Sequence, residues 1–317
     1  MTRSSGRRAA VFLVLLAVLW AAVMAGSAVE PLRTLLAELT DSTGYSDAPA
    51  EEIAENLALV CTEDDAAGLI IGDSVCNQVF GPFQDCNEDW TVAATNRAVT
   101  LAGQYLLAEQ FLDAHPQAEE VWLMLAPDSF AADFDANYGY QYVVTGFAPY
   151  GLLSHLDAET RAELARAYGA PFLSEGFVRW INASPLGRKL YLNALVDLGG
   201  GLDREGALCP MAQRTLDRLE TLCREHGAAF HLVCDPLAST EYRQTSLAAL
   251  EQAFREAGLY DRYAGYFTDV VWYDPGLFGP DGLHFDYETS DLAFFADVVR
   301  DLQQATGGFA GMTLQYD

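Results

Sequence analysis

Basic residues are scarce in this chain: 18 Lys and Arg stand against 45 Asp and Glu in 317 residues. Three of the 18 are Arg3, Arg7 and Arg8, so residues 30–317 carry a net charge of about −30. A surface of that sign has no basic footprint for phosphates or anionic headgroups. Nucleic acid and anionic lipid surfaces are therefore excluded as partners of the main body. The excess of carboxylates itself reads as a solvated acidic face. The chain also lacks a C-x-x-C pair and any dense Cys/His cluster, which argues against a zinc or dithiol redox site, and no cofactor is expected. Internal repeats and low-complexity tracts are absent. With 51% hydrophobic and 12% aromatic residues, the composition is that of a globular protein with a sizeable core.

The longest uncharged run is N-terminal, from Ala9 to Val29 behind Arg3, Arg7 and Arg8. As a helix it would be about 31 Å long, roughly the thickness of a hydrocarbon core. Arginines on its short flank favour a cytoplasmic N-terminus, which places the rest of the chain outside. Residues 1–29 are thus expected to be an uncleaved anchor, giving a single-pass membrane protein with an extracytoplasmic body. Gly26-Ser27-Ala28 leaves a cleaved signal and a secreted protein as the alternative. Six cysteines, Cys61, Cys76, Cys86, Cys209, Cys223 and Cys234, allow up to three disulfides in such a compartment.

Residues 30–66 read as a stalk with a lead-in helix, and residues 67–317 as the principal domain. Short apolar runs mark its strands: Gly68–Gly72, Thr91–Thr95, Val121–Ala126, Phe230–Cys234 and Asp269–Tyr273. Helical spacing separates several of them, notably Leu101 to Leu112, Arg214 to His226 and Tyr287 to Gln304. Strands that are apolar throughout, alternating with helices, predict an α/β fold with a central parallel sheet covered on both faces. Ligands in such folds sit beyond the carboxyl ends of the strands. Residues 130–210, rich in aromatics and with a helix near Ala158–Tyr168, exceed an ordinary crossover and read as an insertion. Both a lid or substrate platform and plain helical decoration fit that segment.

Two strand ends carry chemistry. Gly72-Asp73-Ser74 closes the first strand where a helix begins, and a helix start directs N–H groups and positive dipole towards the serine. Serine becomes a nucleophile once a neighbouring base takes its proton. The loop Gly279-Pro280-Asp281-Gly282-Leu283-His284-Phe285 follows the last strand. Imidazole is the usual base near neutral pH, and Asp281, three residues before His284, is near enough to hold its other nitrogen. His115, His155, His226 and His231 show no metal spacing. Asn182-Ala183-Ser184 matches the glycosylation pattern but is followed by Pro185.

The G-D-S triplet and the D-x-x-H element before the last helix resemble the SGNH (GDSL-type) hydrolase superfamily. The resemblance spans about 66–127 and 228–305. It implies a three-layer α/β/α sandwich of flavodoxin-like type, with Ser74 as nucleophile, His284 as base and Asp281 as its orienting acid. It also implies an oxyanion hole built from the serine N–H, a glycine after the second strand (Gly103 here) and an asparagine after the third. The third strand of this chain instead runs into Pro127-Asp128-Ser129, and ionised Asp128 has no proton to donate. Asn96, Ser129 and Asn137 are the replacements to consider.

The expected function is an extracytoplasmic serine esterase that removes acyl groups from cell-surface glycans or lipids, or from small esters, through an acyl-serine. An alternative is an O-acyltransferase that passes an acyl group to a cell-surface polymer together with a membrane-bound O-acyltransferase as partner. A second alternative is a surface-binding protein that retains the fold without catalysis.

Overall fold

The computed structural model describes residues 48–95, 100–134, 139–182, 206–288, 290–309 and 311–314, with scattered positions between 11 and 32. Most of the expected anchor, and residues 33–47 of the stalk, lie outside the described residues. Among the described residues no helix is long and apolar enough to cross a membrane.

Four parallel strands form the main sheet: β1 (Gly68–Gly72), β2 (Trp90–Val92), β3 (Glu120–Leu125) and β4 (Ala229–Cys234). They lie in the order β2-β1-β3-β4. Side-chain alternation sorts them into two cores. Leu69, Ile71, Val121, Leu123, Leu125 and Leu232 point to one face, against α1 (Ala48–Val60), α3 (Leu101–Ala114) and α6 (Pro210–His226). Ile70, Trp122, Met124 and Val233 point to the other, against α2 (Ser74–Phe80) and α9 (Leu292–Thr306). The register explains the sorting, because Leu69 lies beside Val121 and Ile70 beside Trp122. The chain is thus an α/β protein with a parallel sheet between helical layers.

Helix α1 belongs to the main core: Ile53, Leu57 and Val60 are buried in the same cluster as the strands. The lead-in segment read from sequence therefore ends in a structural helix of the domain. Between α3 and α6 lie α4 (Ala158–Tyr168) and α5 (Glu175–Asn182). The insertion sends Tyr140, Phe147 and Tyr168 into that core as well, so those aromatics serve packing. Tyr150 and Trp180 are left on the surface.

The last predicted strand is the main departure. Only Trp272–Tyr273 (β6) is extended, and it pairs with β5 (Leu237–Ala238) in a separate two-stranded sheet. Pro236 intervenes between β4 and β5, and proline cannot donate to a ladder, so the main sheet stops there. Helices α7 (Glu241–Glu256) and α8 (Ala264–Thr268) lie between the two short strands. No disulfide joins Cys61, Cys76, Cys209, Cys223 or Cys234, and all but Cys61 are buried.

Candidate active site

From β1 the chain passes to β2 on one side, while β3 lies on the other side of β1. Such a reversal opens a crevice at the carboxyl ends of the two central strands. Ser74 follows β1, and Asp128 and Ser129 follow β3, so all three stand at that crevice.

The turn that carries Ser74 is built by close packing. A Cβ on Gly72 would lie 2.2 Å from the Met124 carbonyl oxygen and 2.5 Å from the Cys76 Cβ. Only glycine fits between β3 and α2. Asp73 caps α2 by accepting from the Val75 N–H at 3.0 Å. Its second oxygen accepts from the Ala126 N–H at 3.0 Å and the Ser129 hydroxyl at 2.8 Å. One carboxylate thus ties the start of α2 to the end of the neighbouring strand, and Ser74 occupies the first helical position.

Ser74 Oγ lies 2.6 Å from His284 Nε2, and His284 Nδ1 lies 2.7 Å from Asp281 Oδ2. Asp281 is acceptor-only when ionised, so Nδ1 carries the proton and Nε2 is left to accept from the serine. The other Asp281 oxygen accepts the N–H groups of Leu283 and His284 at 2.9 and 3.1 Å. Partial burial pushes the Asp281 carboxyl up, but the His284 ring and these two N–H groups outweigh it and hold the acid below the usual carboxylate range. The loop turns tightly: Gly282 N–H donates to Gly279 O at 2.9 Å, and Gly282 sits at φ +60°.

Two groups that sequence reasoning passed over hold this loop. The Arg243 side chain, 5% exposed, donates through Nε to Gly282 O at 3.1 Å and through a terminal nitrogen to Asp128 at 2.7 Å. Ser246 donates to the other Asp128 oxygen at 2.6 Å. Asp128, just after β3, is therefore an anchor for Arg243. Gln78, also buried, accepts the Phe285 N–H at 2.9 Å and donates to the Phe285 carbonyl at 2.8 Å. An Arg at a helix start gives no local signal for such a role, whereas Gln78, four residues after Ser74, lies one helical turn away.

The expected oxyanion donors are arranged less simply. Gly103 lies in the first turn of α3, and its N–H donates to Thr100 O at 2.8 Å. The Ser129 proton is committed to Asp73. Asn96 and Asn137 lie outside the described residues. The Ser74 N–H, at the first helical position, has no carbonyl partner within α2. Nearby, Gln104 donates to Gly72 O at 2.8 Å and steadies the turn.

Beneath the turn, the Asp235 carboxyl is fully buried, and among the described residues neither of its oxygens has a hydrogen-bond partner. Burial first, then the charge of nearby Asp73, push its pKa well above the usual carboxylate range, with Arg243 opposing.

Each of the remaining histidines faces a carboxylate. His115 bonds to Asp64 at 3.0 Å and His155 to Glu109 at 2.7 Å. Among the described residues no group of three or more His, Cys, Asp or Glu is placed to hold a metal ion. Asn182 uses its Nδ2 on Thr145 O at 2.9 Å. The chain matches no family model, no curated protein and no solved structure.

Proposed function

We propose that this protein is a serine esterase of the SGNH type, acting outside the cytoplasm on ester-linked acyl groups of glycans or lipids. The observation that carries this reading is the continuous relay from Ser74 through His284 to Asp281, with 2.6 and 2.7 Å contacts. Its members come from positions 210 residues apart. A serine, a base and an orienting acid in hydrogen-bond sequence form the arrangement that activates an alcohol nucleophile.

In the proposed reaction Ser74 Oγ attacks the ester carbonyl carbon as its proton passes to His284 Nε2. The imidazolium formed is stabilised by Asp281. Collapse of the tetrahedral intermediate breaks the bond to the alcohol, which leaves with the proton from Nε2, and an acyl-serine remains. Water, deprotonated by the same nitrogen, then releases the acid and restores the serine. The Ser74 N–H is the donor we assign to the oxyanion. A missing second donor commonly costs ~10²–10³ in rate, so slow hydrolysis is expected.

That deficit also supports a second reading, in which the acyl-serine passes its acyl group to a sugar hydroxyl in place of water. Both share the first step, which a serine-reactive fluorophosphonate tests directly. Wild-type protein should be labelled and Ser74→Ala should not; equal labelling of both overturns the assignment. Acetate release in water compared with transfer to a glycan acceptor then separates the two outcomes.

A further inference from the structure

We propose that Gln78 is a positioning residue that sets His284 against Ser74 by holding the backbone of Phe285; this rests on the reading of Ser74 and His284 given above. The Gln78 carboxamide both accepts from and donates to one residue, the immediate neighbour of His284, at 2.9 and 2.8 Å. Two antiparallel bonds to one residue's N–H and C=O fix its position and its rotation, as a neighbouring strand would. Here a side chain does it: among the described residues the base loop pairs its backbone only with itself, through the Phe278–Phe285 bridge and the bonds from Gly279 N–H to His284 O and from Asp286 N–H to Leu277 O.

The spacing gives the contact its significance. Ser74 and Gln78 stand at either end of one turn of α2, about 6 Å apart along the axis. One short, capped helix therefore carries the nucleophile and the handle for the base. The serine–imidazole distance is set across this helix, although 210 residues of chain separate the two groups. Glutamine suits the task chemically: it has a donor and an acceptor on one planar group, whereas glutamate lacks the donor and methionine lacks both. The Phe285 ring is buried against Phe278, Phe294 and Phe295. The packed ring keeps the loop folded when the polar clasp is removed and leaves the clasp to govern register.

The test uses full-length wild type, Gln78→Met and Gln78→Glu. Fluorophosphonate labelling rates are measured from pH 5 to 9, well below each protein's Tm, and the His284 ring is titrated by NMR. Gln78→Met should label about 10–100-fold more slowly, the penalty expected of a misplaced catalytic group. Its His284 titration curve should be displaced from that of wild type. Gln78→Glu keeps the acceptor for the Phe285 N–H and should fall between. A folded Gln78→Met with unchanged labelling and an unchanged His284 curve, differing only in Tm, makes Gln78 merely structural and overturns the proposal. Failure of wild type to label overturns the Ser74 assignment alone. The His284 titration still decides the role of Gln78, a displaced curve supporting it and an unchanged one ending it.

Discussion

The two halves of the site are built by different means. The nucleophile turn is the end of a central strand, wedged between β3 and α2 with no room for a Cβ at Gly72. The base loop lies beyond the main sheet, with Asp281 about half exposed. It keeps its shape through long-range side-chain bonds from Gln78 and Arg243. Close packing at Gly72 reinforces the Asp73 bonds around the serine, whereas the base loop depends on bonds from Gln78 and Arg243 together with the buried Phe285 ring. The first kind of support is rigid and fails by steric conflict; the second is adjustable and fails by losing register.

The largest effect should come from breaking the base side chemically. Asp281→Asn keeps the size of the acid but favours the wrong imidazole tautomer. Labelling of Ser74 should fall by about 10²–10⁴-fold with a small change in Tm, and a rate near wild type would show that Asp281 does not orient the ring.

Next, the glycines of the two halves can be set against each other. Gly72→Ala introduces a backbone clash, since the added methyl meets the Met124 carbonyl at 2.2 Å. It should cost at least ~1–3 kcal/mol, as overpacked cores do. Gly282→Ala meets nothing within 4 Å, but its φ of +60° is unfavourable for a side chain, at about 1–2 kcal/mol. Urea midpoints measure both, and a reversed order would contradict packing as the support of the nucleophile turn.

The smallest effects are in pH dependence, where two carboxyls should act with opposite sign. Asp281 is held below the usual range, so its contribution is present at neutral pH. That contribution is lost as pH falls through its lowered pKa, and there the urea midpoints of wild type and Asp281→Asn should converge. Asp235 is held well above the usual range. Its contribution is full below the unfolded carboxylate pKa and is lost as pH rises. Asp235→Asn should therefore stabilise the protein at pH 8 and leave it unchanged near pH 3. A gain confined to acid pH would show that Asp235 is ionised in the fold.

Much of this site was legible in the sequence. The apolar run Gly68–Gly72 ending in G-D-S, and the Gly/Pro loop holding Asp281 and His284, announced themselves by composition and by spacing of three. Strand positions followed because buried parallel strands are apolar on both faces, and β1, β3 and β4 appear within a residue or so of their expected bounds. The last strand was misjudged: Val270-Val271-Trp272-Tyr273 has the right propensity, but the main sheet ends at Pro236. Aromatics of the insertion suggested a platform by their number alone, and several proved to be core, because exposure depends on what packs above them.

The sequence by itself determined the α/β alternation, the residues we propose as nucleophile and base, and the absence of an asparagine after β3, because each is a property of neighbours along the chain. Tertiary structure decided what Asp128 does instead, namely anchor Arg243 from 115 positions away. It also decided that Gln78 clasps Phe285 across 207 and that the Asp235 carboxyl is buried near Asp73. Those are pairings between residues that no local pattern links, and only folding brings their donors, acceptors and charges within reach.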